Sequence, residues 1–81
     1  MFKTFFNKLT PETRKKFAAN SGTTLGYIEK HFLSPDPLKR KVPRPELMAK
    51  MVDASAGELN YKELADYFYI EKSRAYKNKA A

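Results

Sequence analysis

The spacing of helix-start and helix-stop residues constrains this chain more than any other feature. Thr10-Pro11-Glu12, Thr23-Thr24, Arg44-Pro45-Glu46 and Asn60-Tyr61-Lys62-Glu63 each carry a capping residue, a first-turn proline, an early acid or a combination of these. Gly22 and Gly57 fall where the preceding helices must stop, and a glycine there supplies left-handed backbone without a Cβ clash. Punctuation this dense admits short helices, while strand signals are weak. Only Tyr67-Phe68-Tyr69-Ile70 has marked β content, and the neighbouring helix pattern favours reading it as helix. The fold class expected is all-α: a compact five-helix domain over residues 1–71, then a flexible basic tail over 72–81.

Apolar residues fall on the faces such helices would bury. Phe2, Phe5, Phe6 and Leu9 line one side of a first helix, and Phe17 and Ala18 lie on a second that ends near Asn20-Ser21-Gly22. A third helix runs from the Thr23-Thr24 cap to about Phe32 or Leu33. Residues 34–45 hold four of the five prolines and read as a loop. Leu47, Met48, Met51 and Val52 form the stripe of a fourth helix. Asn60 and Glu63 form a capping box for a fifth through Leu64 and Phe68.

Charge narrows the function. The 81 residues carry 16 Lys+Arg against 9 Asp+Glu, a net +7, which points to a polyanionic partner. Residues 1–33 and 34–45 are basic, 46–71 acidic and 72–81 basic again, so the positive charge is concentrated rather than spread. With no cysteine and one histidine there is no ordinary structural zinc site, and no cofactor is expected. Glu58, Glu63 and Asp66 have no nucleophile or histidine beside them, so no catalytic residues and no small-molecule substrate are expected. No apolar stretch reaches the roughly 20 residues of a membrane span, and lysines interrupt any leader-like segment. A cytoplasmic protein without a membrane partner is the expectation.

The segment over 10–33 carries the functional signal. A helix–turn–helix needs a small residue where its helices cross, a glycine in the turn four residues later, and a buried aliphatic residue six after that. Ala18, Gly22 and Ile28 meet this spacing. Bulk at the first position would force the helices apart, and a β-carbon at the second would strain the turn.

Leu9-Thr10-Pro11-Glu12-x-Arg14, Phe17-Ala18 and Gly22-Thr23-Thr24-x-Gly26-Tyr27-Ile28-x-Lys30 together resemble the small Cro-like helix-turn-helix regulators of phages and prophages, including the YdaS group. Pro45-Glu46-Leu47 and Gly57-x-Leu59-Asn60-x-Lys62-Glu63-Leu64 fall where that family has its fourth helix and closing segment. The resemblance covers about residues 5–64. It implies a helical domain that binds operator DNA, usually as a homodimer, and represses transcription. The chain departs from the family in its longer loop over 34–44 and in its aromatic and basic extension beyond Leu64.

Residue roles follow from a third helix set in the major groove. Thr24, Leu25, Gly26, Glu29 and Lys30 are the expected base contacts: Lys30 can donate to guanine, Glu29 can accept from cytosine, and Thr24 suits a base edge or phosphate. Leu25 fits either a thymine methyl or the core stripe with Ile28 and Phe32. Gly26 would allow close backbone approach, to DNA or to the second helix. Arg14, Lys15, Tyr27, Lys39, Arg40, Lys41 and Arg44 are the expected phosphate contacts, with Tyr27 alternatively packing on the first helix. His31 is expected to lie towards the interior. The alternatives are an RNA or single-stranded nucleic-acid binder using the tyrosines and tail, and a phage adaptor that docks on a protein partner.

Overall fold

The computed structural model describes residues 2–80, which contain helices and no strand. α1 spans Phe2–Lys8, α2 Pro11–Asn20, α3 Leu25–His31, α4 Pro45–Ala54, α5 Tyr61–Ala65 and α6 Glu71–Ala80. A short 3-10 turn, Pro37–Lys39, interrupts the loop between α3 and α4. A π-helical turn, Asp66–Ile70, joins α5 to α6. Backbone angles stay right-handed helical through both junctions, so α5, the π turn and α6 form one rod.

The expected caps are the observed ones. Thr10 Oγ1 accepts from Thr13 N at 3.2 Å, and Thr24 Oγ1 accepts from Tyr27 N at 3.2 Å. Asn60 Oδ1 accepts from Glu63 N at 2.8 Å, while Asn60 Nδ2 donates back to Glu63 Oε1 at 3.1 Å. Each satisfies an N–H that the helix geometry leaves without an intrahelical partner.

One apolar core links all the helices except α6. Phe2, Phe5 and Phe6 bury their rings against Phe17, and Phe2 also meets Tyr67 and Phe68, at 5.6 and 5.7 Å between centroids. Ile28, Met48, Met51 and Leu64 are fully buried between them. Each such side chain contributes about 1.5–3 kcal/mol of burial, which is how a chain without disulfides holds a small fold.

One expectation changes here, and the helical reading of Tyr67–Ile70 holds. The flexible tail over 72–81 is helical as far as it is described, because the fifth helix does not stop at Phe68. The strand-prone Tyr67-Phe68-Tyr69-Ile70 is the π turn, which buries Tyr67 and Phe68 side by side and leaves Tyr69 and Ile70 exposed.

The π turn also explains how the rod is anchored. Glu71 N–H bonds Asp66 O, five residues back, and so passes over the Tyr67 carbonyl that an α-helix would use. Arg40 Nη1 takes its place, donating to Tyr67 O at 3.0 Å and to Glu71 Oε1 at 2.8 Å. Its guanidinium lies 3.8 Å from the Tyr67 ring centroid, and its Nε donates to Ser34 O at 2.8 Å. Lys72 Nζ donates to Arg40 O at 2.8 Å, and Tyr67 donates its hydroxyl to Phe32 O at 2.6 Å. The rod is thereby pinned to the loop and to the end of α3. Burial raises the Tyr67 hydroxyl above its ordinary value, keeping this donor protonated.

Candidate nucleic-acid interface

α2 and α3 are joined by four residues whose geometry matches the spacing rule. Ala18 and Ile28 are fully buried, and Gly22 has φ +82°. A Cβ at Gly22 would also lie 3.4 Å from Lys50 Nζ, so the turn is covered by a side chain from α4. Ser21, fully buried, donates its hydroxyl to Phe17 O at 2.8 Å and closes the end of α2.

α3 shows solvent a short polar face. Thr24, Gly26, Tyr27, Glu29 and Lys30 are exposed, whereas Leu25 is half-buried against the core. Thr24 Oγ1 is committed as a cap acceptor, but its hydroxyl hydrogen can still be donated outward. A Cβ added at Gly26 would meet nothing within 4 Å, so the expected close approach to α2 does not occur. Tyr27 packs on His31 at 4.5 Å and edge-on to Phe32 at 5.5 Å rather than on the first helix.

Tertiary structure adds cations around this face. Lys41 Nζ lies 6.0 Å from the Tyr27 ring centroid, and Lys41 N donates to His31 O at 2.9 Å. His31 is half-buried at the surface rather than interior. Its pKa is lowered, first by desolvation and then by the charges of Lys41 and Lys30, so these two lysines flank one imidazole. Tyr27 also lines a groove of about 400 Å³ between the turn and the start of α4, which Thr23, Arg44 and Lys50 border. Arg44, the N-cap of α4, makes no side-chain cap hydrogen bond, which leaves the first turn of that helix open to an anion beside those cations. Glu46 is the acid on this border.

The remaining expected phosphate contacts divide. Lys15, Lys39, Lys41 and Arg44 are exposed. Arg14 is partly tied down: its Nε donates to Phe6 O at 3.3 Å, and its guanidinium lies 5.0 Å from the Phe6 ring centroid. Arg40 is a correction. It is only 5% exposed, and its guanidinium is taken up by Ser34, Tyr67 and Glu71, which removes it from any surface contact.

Lys50 was not legible as a site residue, because nothing local to α4 indicates that its side chain crosses the α2–α3 turn. His31 was legible only as a core candidate. Among the described residues no cluster of acids or histidines could hold a metal ion, and no helix is long and apolar enough to cross a membrane.

No family model matches the chain, and no curated protein or solved structure matches it. The reading of the site therefore rests on its own chemistry.

Proposed function

We propose that this chain is a sequence-specific double-stranded DNA-binding transcriptional repressor that occupies an operator as a homodimer in the cytoplasm. The observation that carries the reading is the short exposed face of α3, set by a glycine turn over α2 and surrounded by Lys30, Lys41, Arg44 and Lys50. A helix so placed can enter a major groove while cations on either side take phosphates. Thr24, Gly26, Glu29 and Lys30 are the base-reading set, with Leu25 limited to its exposed edge. Lys15, Tyr27, Lys39, Lys41, Arg44 and Lys50 position the duplex, with a smaller share for Arg14. No cofactor or chemical step is required, since occupancy alone blocks a promoter. The residues that resemble the Cro-like regulators support the same reading.

Selection from a random duplex library at near-physiological salt tests it, with enrichment of a palindromic site as the expected result. Lys30→Ala with Lys41→Ala should leave the fold unchanged. The salt dependence of binding should fall by about one unit of slope for each phosphate that is no longer neutralised. An unchanged duplex affinity in that variant would sink the reading. Exposed Tyr76 among Arg74, Lys77 and Lys79 on α6 favours single-stranded nucleic acid as the second reading, and single strands of the selected sequence are its direct test.

A further inference from the structure

Charge along the α5–α6 rod is divided by position. Up to Glu71 it carries Glu63, Asp66 and Glu71 against Lys62 alone; beyond, it carries Lys72, Arg74, Lys77 and Lys79 with no acid. Glu71 and Lys72 are engaged at Arg40. Among the described residues Asp66, Arg74 and Lys77 have no ion-pair partner. Glu63 and Asp66 border the same shallow groove.

Asp66, Ile70, Arg74 and Lys77 are exposed along the rod and Glu63 is half-exposed. The steps of three and four within α5 and α6 follow one helix side. Across the π turn, whose bonds run five residues back, the four-residue step from Asp66 to Ile70 is still close to one turn. Their charges are also inverted about Ile70. Asp66 lies four residues before it and Arg74 four after, while Glu63 lies seven before and Lys77 seven after. Two such rods laid antiparallel and crossing at Ile70 set Asp66 opposite the partner's Arg74 and Glu63 opposite the partner's Lys77. Two-fold symmetry makes each pairing twice. Parallel rods would oppose acid to acid and base to base.

We propose that this stripe is an isologous interface on which a second copy of the chain binds antiparallel through its own rod. Ile70 on the two-fold axis is 43% exposed, and Tyr69 and Tyr76 near it are 42% and 58% exposed, so apolar surface lies beside the complementary charges. A polyanion would suit only the basic half and be repelled by Glu63 and Asp66, whereas a second copy suits the whole length. The interface deepens the homodimer of the proposed function and does not depend on the ligand being DNA. Exposed ion pairs are individually weak, so the dimer should be weakened by salt and set its register more by charge than by area.

Charge reversal gives a test that a merely structural role cannot imitate. Asp66→Arg and Arg74→Asp each place like charges opposite one another in their own homodimer. Each alone should therefore sediment as a monomer where the wild type dimerises, with association weakened roughly tenfold or more. Mixed in equal amounts, the two variants should form a heterodimer, because every opposed pair is then opposite in charge. The double variant should dimerise by itself. A monomeric wild type, single variants that dimerise unchanged, or mixing without rescue would each overturn the interface. Circular dichroism checks that both variants fold. Should either fail to, Ile70→Cys provides an independent readout, since the chain has no other cysteine. On mild oxidation it should cross-link to itself far faster than Lys16→Cys on α2, and equal rates would count against the axis at Ile70. Binding of the monomeric variants to a single operator half-site reports on the DNA reading separately.

Discussion

The basic residues around α3 and those along the seam between the loop and the rod read alike in the sequence, yet they sit in opposite surroundings. Lys30, Lys41 and Arg44 keep their charges in water, around a helix whose outer face makes few contacts. Arg40, next to Lys41 in the chain, is buried and bonded on several sides. The difference lies in what faces each side chain. The π turn frees one carbonyl and places Glu71 beside it, so a guanidinium there gains several partners at once, whereas among the described residues no acid pairs with Lys41. One neighbour holds the rod in place, and the other stays exposed.

Removing the buried member should break this contrast most strongly. Arg40→Ala leaves Tyr67 O without its donor and Glu71 without its cation, and should cost about 2–4 kcal/mol in urea unfolding. Lys41→Ala should change stability by less than about 0.5 kcal/mol. Equal losses for the two would erase the distinction.

The glycines flanking α3 offer a second comparison. Gly22→Ala forces a side chain into left-handed backbone beneath Lys50 and should destabilise by about 1–2 kcal/mol. Gly26→Ala meets open space inside a helix and should stabilise by up to about 1 kcal/mol. If Gly26 is where DNA comes close, the same variant weakens duplex binding while raising Tm, and a competition assay beside a thermal melt reads both.

The smallest effect concerns pH. His31 is held below its ordinary 6.5 by desolvation and by Lys41 and Lys30, so the unfolded chain takes up the proton more readily. Its contribution to stability is complete above pH 6.5 and is lost as pH falls through the lower folded value. His31→Gln should flatten this acid-side decline in a series of melts. Lys41→Ala should shrink the decline only slightly, by letting the folded His31 value rise, because Lys41 is the second cause rather than the first.

Much of the local architecture was legible because its causes are local. Thr10, Thr24 and Asn60 cap helices through bonds to residues three positions on, and a short-range signal is readable wherever it occurs. Ala18, Gly22 and Ile28 were legible for the same reason, since a tight turn ties its requirements to nearby positions. Exposure on α3 was partly legible: periodicity identified its outer face but left Leu25 and Tyr27 open. The continuation past Phe68 was not, because a run of lysines reads as solvated tail unless something anchors the start of the helix.

That anchor lies 27 and 31 residues away, in the bonds from Arg40 to Tyr67 and Glu71. Chain-local chemistry thus determined the first four helices, the start of the fifth and the overall positive charge, but not the sixth helix. Tertiary packing alone decided which cations are spent inside, which surround α3, and that Lys50 covers the turn at Gly22. Charge is a property of a residue type, but its availability depends on the dielectric and the partners around it, and those come from segments far apart in the chain.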